Sequence, residues 1–174
     1  MLTQLRLALL GVWIGAMLAF GALFVPAAFE HLPTALAASV LGEGFAALDR
    51  SGAAIGALCA VLGWLDARRR GDAALATRLR ALLPLVGVAA HLASGLAVTP
   101  RIHALRVAAG GGIGQLPPGD PALAQFARLH AASRGLFGLA VACALGACIW
   151  DLLAAHLRVG ARVSRDIGPP NFLS

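Results

Sequence analysis

An uncharged apolar run near the N-terminus is the feature that most constrains how this chain folds. Residues 7–29 contain no Asp, Glu, Lys or Arg. Because a helix rises 1.5 Å per residue, a helix of this length crosses the ~30 Å hydrocarbon core of a bilayer with some tilt. A cleaved signal peptide is the rival interpretation, but its apolar core is typically about 7–15 residues long. We therefore expect this helix to stay in the mature chain.

Three further apolar stretches follow. Residues 81–100 approach the ~20 residues of a spanning helix, whereas residues 51–65 and 135–150 reach that length only with their flanking residues. The composition of 59% hydrophobic and 13% charged residues also lies far from that of a soluble domain. We predict an all-α integral membrane four-helix bundle over residues 1–155, followed by a polar tail over residues 156–174. The predicted spans are residues 6–29, 46–66, 80–100 and 129–152.

The arginines predict the orientation of this bundle. All fourteen basic residues are Arg, and nine of them lie on the side of the two termini, against five on the other side. The positive-inside rule therefore predicts cytoplasmic termini, with the helices in a bacterial inner membrane. The net charge of +6 then indicates contact with anionic lipid headgroups. Nucleic-acid binding is not expected, because the basic tail lacks interleaved aromatic residues.

Glycine and proline residues predict the first connection. A short helix from about Thr34 is expected to break at Gly42 and Gly44 and then to resume into the membrane. This interpretation places Asp49 near the end of a span, on the same face of the membrane as Glu30. An acidic residue at that depth would meet headgroups or the arginines of the outer face.

The other two connections carry helix-capping signals. Gly71 is expected to end the second helix and Asp72 to cap the third. The last connection, AAGGGIGQLPPGDP, reads as an exposed loop, because neither helix nor strand accommodates so many glycines and prolines. Asp120 and Pro121 then read as the N-cap and the first residue of the fourth helix.

Small residues predict close packing between the helices. Gly11 and Gly15 form one G-x-x-x-G pattern, and Gly52 and Gly56 form another. This spacing lets helix backbones approach closely in lipid. The expected role is packing within the monomer, and a homodimer face is the alternative.

A weak internal similarity suggests a repeat. SGAAIG, starting at residue 51, and SRGLFG, starting at residue 133, share Ser and Gly at the same spacing. In the predicted topology the first and third helices run in one direction, and the second and fourth run in the other. An ancient parallel duplication of two helices is therefore one interpretation, and chance similarity in helices rich in alanine and glycine is the other.

Histidines are the main candidates for chemistry. His31, His103 and His130 are predicted to lie on the outer face, where Glu30 could add an oxygen ligand. Imidazole is the commonest metal ligand, so a metal site on this face is one hypothesis. The alternative is that these histidines only face headgroups or cap helix carbonyls.

His91 differs from the other histidines, because it is predicted to lie near the middle of the third span, where an ionisable residue is costly. Cys59 and Cys143 at similar depth could complete a site for a soft ion such as Cu(I). The alternative is a neutral His91 that hydrogen-bonds a carbonyl or Ser94, with the cysteines as packing residues. No cofactor is expected, because no second histidine matches His91 in depth as a haem ligand.

Two further segments carry a resemblance to a known family: AVTPRIHALR, residues 97–106, and FARLHAASRGL, residues 126–136. Together with WIGAMLAFGALFVPAAFEHL near the N-terminus, they resemble the four-helix membrane family called domain of unknown function 4149, related to eukaryotic transmembrane protein 205. The resemblance implies an integral membrane protein and no defined activity. The residues that match the family's motifs are Trp13, Gly15, Pro26, Pro100, Arg101, Arg106, Phe126, Leu129, His130 and Ser133.

The sequence predicts no enzyme. It contains no G-x-S-x-G and no H-E-x-x-H motif, and no carboxylate pair is expected inside a span. The first functional hypothesis is a scaffold or accessory subunit of a membrane assembly, or a homo-oligomer. Beyond the three outer-face histidines, the candidate functional residues are His91, Arg101, Arg106 and Ser133, with His91 a relay in the alternative hypothesis. The alternative is copper-like metal handling or small-solute transport through the histidines.

Overall fold

Four long helices make up nearly all of the described chain. The computed structural model describes residues 1–71, 74–110 and 113–166. No strand occurs within these ranges, and all four helices are long and apolar enough to cross a membrane. The predicted all-α class with four spanning helices is thus confirmed. In chain order, α1 is Leu2–His31, α2 is Thr34–Arg70, α3 covers residues 74–108, and α4 is Pro121–Asp166.

The helices form a ring in which α1 and α3 each pack mainly against α2 and α4. We call the end of the bundle that holds Arg6 and Arg80 the basal end, and the end that holds His31 and Pro121 the distal end. The main core fills the middle of the ring, whereas many large apolar side chains point outward, as a lipid environment requires. The buried members of this core are Leu10, Trp13, Met17, Cys59, Ala90, Ala140, Ala144 and Ala147.

The predicted break in the second helix is wrong, because α2 runs without interruption from Thr34 to Arg70. Glycine costs only about 1 kcal/mol in a helix, so tertiary packing can override the tendency to break. Gly44 has such a packing role, since a β-carbon there would lie 2.6 Å from Cε2 of Phe20. Asp49 consequently lies inside a long helix and is buried, rather than at a helix end.

The two G-x-x-x-G patterns have different surroundings. A β-carbon on Gly52 would meet the ring of His91, and one on Gly56 would lie 2.9 Å from Cη2 of Trp13. The prediction of close packing is therefore confirmed for this pair, although the groups that approach are the two rings and the side chain of Val88 rather than a small-residue backbone. Gly11 and Gly15 are exposed, and a β-carbon on either would meet nothing within 4 Å. Packing within the monomer does not account for that pair.

Two π-helical turns interrupt α1 and α3, at Phe20–Phe24 and Ser94–Val98. In each turn the first residue's carbonyl accepts a hydrogen bond from the N–H five residues later. A proline lies two residues after each turn, Pro26 in α1 and Pro100 in α3. Proline lacks an N–H and crowds the carbonyl four residues before it, and the wider turn accommodates that crowding. Pro100 thus lies within α3, which continues to residue 108.

The same features recur in α1 and α3 at a constant spacing. Arg6 and Arg80, whose separation is 74 residues, are both buried. The two π turns and the two prolines are separated by the same interval. The buried stripe of α1 also matches that of α3, where Trp13 corresponds to Gly87 and Met17 to His91. These matches are what a tandem repeat of two helices would produce.

The ends of the helices agree with the capping signals. Gly71 ends α2 in the left-handed conformation, with φ of 65°. Asp120 caps α4, because its Oδ1 accepts the N–H of Ala122 at 2.8 Å. Asp72, the other predicted cap, lies outside the described residues. The helix α4 continues past residue 156 to Asp166, and the remainder of the predicted tail is also outside them.

Candidate functional site

A chain of three hydrogen-bonded side chains lies in the centre of the bundle. Nε1 of Trp13 donates to Nε2 of His91 at 3.1 Å, and Nδ1 of His91 lies 2.9 Å from Oδ1 of Asp49. The three residues come from α1, α3 and α2, and all are less than 10% exposed. We call this group the polar centre. It joins a residue pair from the first half of the chain to a histidine from the second half.

Glycines make room for the polar centre. A β-carbon on Gly52 would lie 2.7 Å from Cε1 of His91, and one on Gly87 would lie 2.7 Å from Cη2 of Trp13. Gly95, in the π turn of α3, lies against Asp49, at 3.3 Å between a β-carbon there and that of Asp49. The backbone of α2 and α3 is therefore shaped around these side chains.

The hydrogen-bond directions define the tautomer of His91. The indole N–H of Trp13 can only donate, so Nε2 of His91 must accept. The proton of a neutral imidazole is then on Nδ1, from which it points to Asp49. The second carboxylate oxygen of Asp49, Oδ2, is buried and has no hydrogen-bond partner. An unpaired buried carboxylate oxygen is costly, and such atoms often mark a functional site.

A second charged layer lies toward the basal end. Nη1 of Arg6 donates to both carboxylate oxygens of Asp151, at 2.7 and 2.6 Å. Arg80 lies 3.5 Å from Asp151 and 3.7 Å from Asp66. The arginine of α1 thus pairs with the aspartate of α4, and the arginine of α3 approaches the aspartates of both α2 and α4. We call these four residues the basal clamp.

Arg6 has an additional role in the basal clamp. Its Nη2 donates to the carbonyl oxygen of Arg80 at 2.8 Å. In a regular helix that carbonyl would accept the N–H of the residue four positions later, but this residue is Pro84, which has none. The guanidinium of Arg6 therefore replaces the missing backbone donor.

The predicted outer-face histidines are not assembled into a metal site. Within residues 1–71, 74–110 and 113–166, no group of three or more His, Cys, Asp or Glu side chains could hold a metal ion. His31 and His103 are exposed at the distal end. The alternative set of His91 with Cys59 and Cys143 is not assembled either, and Cys59 belongs to the main core.

Arg106, Phe126 and His130 form a small cluster at the distal end. The guanidinium of Arg106 lies 5.6 Å from the ring centroid of Phe126, and it donates to the carbonyl of Ala38 at 2.8 Å. The ring of His130 stacks on the same Phe126 ring, at 5.8 Å between centroids. Among the predicted site residues outside this cluster, Arg101 is exposed and Ser133 is half-buried. Arg106 was expected to meet headgroups or the acidic residues Glu30 and Asp49, and the contacts found for it in the described chain are instead a carbonyl and a ring.

The sequence indicated His91 but not its partners. The expected bond to a carbonyl or to Ser94 is wrong, since both ring nitrogens contact Trp13 and Asp49. A helical spacing could have found Asp49: it lies on the same stripe as Gly52 and Gly56, at intervals of three and four residues. Because those glycines were expected to face a neighbouring helix, Asp49 should face the interior as well.

Comparison with known proteins gives one family. The family model described as "Domain of unknown function (DUF4149)" matches residues 8–110, which is more than half of the chain. All three residues of the polar centre lie within the matched region, whereas Asp151 and His130 lie beyond it. Neither a curated protein nor a solved structure matches the chain.

Proposed function

The chain belongs to the DUF4149 family, and we propose that it is a non-enzymatic membrane protein that carries protons across the membrane. The observation that carries this proposal is the polar centre. Ionisable residues inside membrane helices are rare and commonly mark ion pathways and proton relays. In transporters built from parallel repeats, such sites lie between the repeats and near the bilayer midplane.

The proposal includes a location and an orientation. We place the protein in a bacterial inner membrane with both termini in the cytoplasm, so that the basal clamp faces the cytoplasm. Anionic headgroups would then contact exposed arginines at the basal end, such as Arg68 and Arg69. Kinship with eukaryotic transmembrane protein 205, which the sequence resemblance implies, belongs to the same proposal.

A reporter fusion tests the orientation. Alkaline phosphatase fused after Ser174 should be inactive and green fluorescent protein fused there should fluoresce, because the former requires an oxidising periplasm. Fusions in the connection between α3 and α4, after Gly119, should give the opposite pair of results. Active phosphatase at Ser174 would contradict the cytoplasmic assignment.

Proton flux in reconstituted vesicles tests the function. The purified chain is incorporated into liposomes that contain a pH-sensitive dye, and a pH gradient is imposed with valinomycin and potassium present to balance charge. The wild-type protein should dissipate the gradient faster than protein-free liposomes. Asp49→Asn should reduce the rate to that of protein-free liposomes, because an amide cannot exchange the proton.

Glu43→Gln is the matched control for this experiment. Glu43 lies on the same helix as Asp49, but it is exposed. Its substitution should leave the flux unchanged. Wild-type vesicles that behave like protein-free liposomes, at confirmed protein content, would contradict proton transport. Metal analysis of the same preparation would favour copper-like handling if it found stoichiometric copper.

A scaffold or accessory role is the second candidate. The distal surface supports it, because Arg101 and His103 are exposed there and α3 extends beyond Pro100. Exposed charges on such an extension can contact another membrane protein. The measurement is whether a variant gene restores the phenotype of a strain from which the gene is deleted. The scaffold role predicts that Arg101→Glu fails to restore it, whereas Asp49→Asn restores it. The proton-carrying function predicts the reverse.

A further inference from the structure

We propose that Oδ2 of Asp49 is the atom that binds the proton, and that Trp13 is the positioning residue that directs the proton there. This inference rests on the proposed function, because it names the proton-binding atom of the same centre. In the step itself, a proton forms one O–H bond with the carboxylate. The centre changes from one negative charge to neutral, and nothing is oxidised or reduced.

The first argument concerns His91. Its Nε2 accepts the indole N–H of Trp13 at 3.1 Å, and its Nδ1 proton points to Oδ1 of Asp49 at 2.9 Å. A second proton on the imidazole would have to bind Nε2, where it would face the N–H of Trp13. Two donors would then oppose each other, so His91 stays neutral while this hydrogen bond persists.

The second argument concerns Asp49. Its Oδ1 accepts the proton of His91, whereas its Oδ2 is buried and without a hydrogen-bond partner. A proton added at Oδ2 leaves both existing hydrogen bonds intact, since Oδ1 can still accept as a carbonyl oxygen. It also removes a negative charge from the interior of the bundle, where an unpaired charge is expensive.

The third argument concerns the surrounding charges. Within the described residues, His91 is the only side chain that forms an ion pair or hydrogen bond with Asp49. On α1 the residue that contacts the polar centre is Trp13. No described ionisable group of α4 bonds to a residue of the polar centre. The arginines of the basal clamp, Arg6 and Arg80, lie against Asp151 and Asp66 instead. Among the side chains that the structure describes, no guanidinium therefore pairs with the carboxylate of Asp49.

Infrared spectroscopy of the full chain in lipid vesicles tests whether the carboxylate of Asp49 binds the proton. A protonated carboxyl group in a dry site absorbs at a higher C=O stretching frequency than a hydrated one. Acidification should produce such a band in the wild-type protein and in Glu43→Gln, and the band should be absent in Asp49→Asn. A band that persists in Asp49→Asn, or no band at any pH, would overturn the assignment to Asp49.

Nitrogen NMR of labelled histidine tests the role of Trp13. In the wild-type protein, His91 should keep an unprotonated Nε2 at the acidic pH that produces the band. In Trp13→Phe, which lacks the N–H, His91 should become doubly protonated on acidification and the carboxyl band should be lost. A doubly protonated His91 in the wild type would overturn the proposal even if the variant does not fold. If the band is present but no proton flux is measured, the proposed transport is refuted and the assignment to Asp49 stands. If flux is measured without the band, the assignment to Asp49 is refuted and the proposed transport stands.

Discussion

Asp151→Ala is expected to lower the free energy of unfolding by about 3–5 kcal/mol, because it leaves the buried guanidinium of Arg6 without its counterion. The side chains of Arg6 and Asp151 are 2% and 1% exposed, so both charges are removed from water in the folded protein. The pair also joins α1 to α4, the first helix to the last. Reversible unfolding of the purified protein in mixed micelles, at increasing mole fraction of denaturing detergent, measures this loss.

A double variant separates the charge effect from lost packing. In Arg6→Met with Asp151→Leu, both charges of this pair are replaced by apolar side chains, so neither is left without its counterion, and Arg80 keeps Asp66. We expect it to be more stable than Asp151→Ala but less stable than the wild type, because the carbonyl of Arg80 loses the donor that compensates for Pro84. Glu43→Gln should unfold like the wild type. If the double variant were no more stable than the single one, the unpaired charge would not be the cause.

The helices could be predicted from the sequence because lipid imposes a simple requirement on every span. A backbone in hydrocarbon must satisfy its own hydrogen bonds, so an apolar run of sufficient length becomes a helix. The capping residues Gly71 and Asp120 gave two helix ends for equally local reasons. Gly42 and Gly44 misled the prediction, because their effect depends on what packs against them. The contact between Gly44 and Phe20 is made across two helices.

The polar centre could not be predicted because it depends on which way the helices face. Depth in the membrane singled out His91, but depth does not say which side of α3 it occupies. Asp49 and His91 are separated by 42 residues and Trp13 and His91 by 78, so neither partner is indicated by local spacing. The basal clamp could not be predicted for the same reason, and its arginines were interpreted only as signals of orientation. Only the assembled ring gives them partners.

Gly52→Ala is expected to destabilise the protein by about 1–3 kcal/mol and to abolish proton flux, even though alanine normally favours a helix over glycine by about 1 kcal/mol. The added methyl group would lie 2.7 Å from Cε1 of His91. The imidazole cannot rotate away without losing its hydrogen bond to Trp13 or to Asp49, because both ring nitrogens are engaged. The same micelle unfolding and vesicle flux measurements report the two effects.

Gly15→Ala is the matched control, because the same substitution is made in the other G-x-x-x-G pattern. Gly15 is exposed, and a β-carbon there would meet nothing within 4 Å. Its replacement should leave the flux intact and change stability by no more than about 1 kcal/mol, in the stabilising direction. Equal behaviour of the two variants would mean that helix propensity alone governs both positions. Loss confined to Gly52→Ala would instead tie the close approach of α2 and α3 to the geometry of His91, because the two substitutions add the same methyl group.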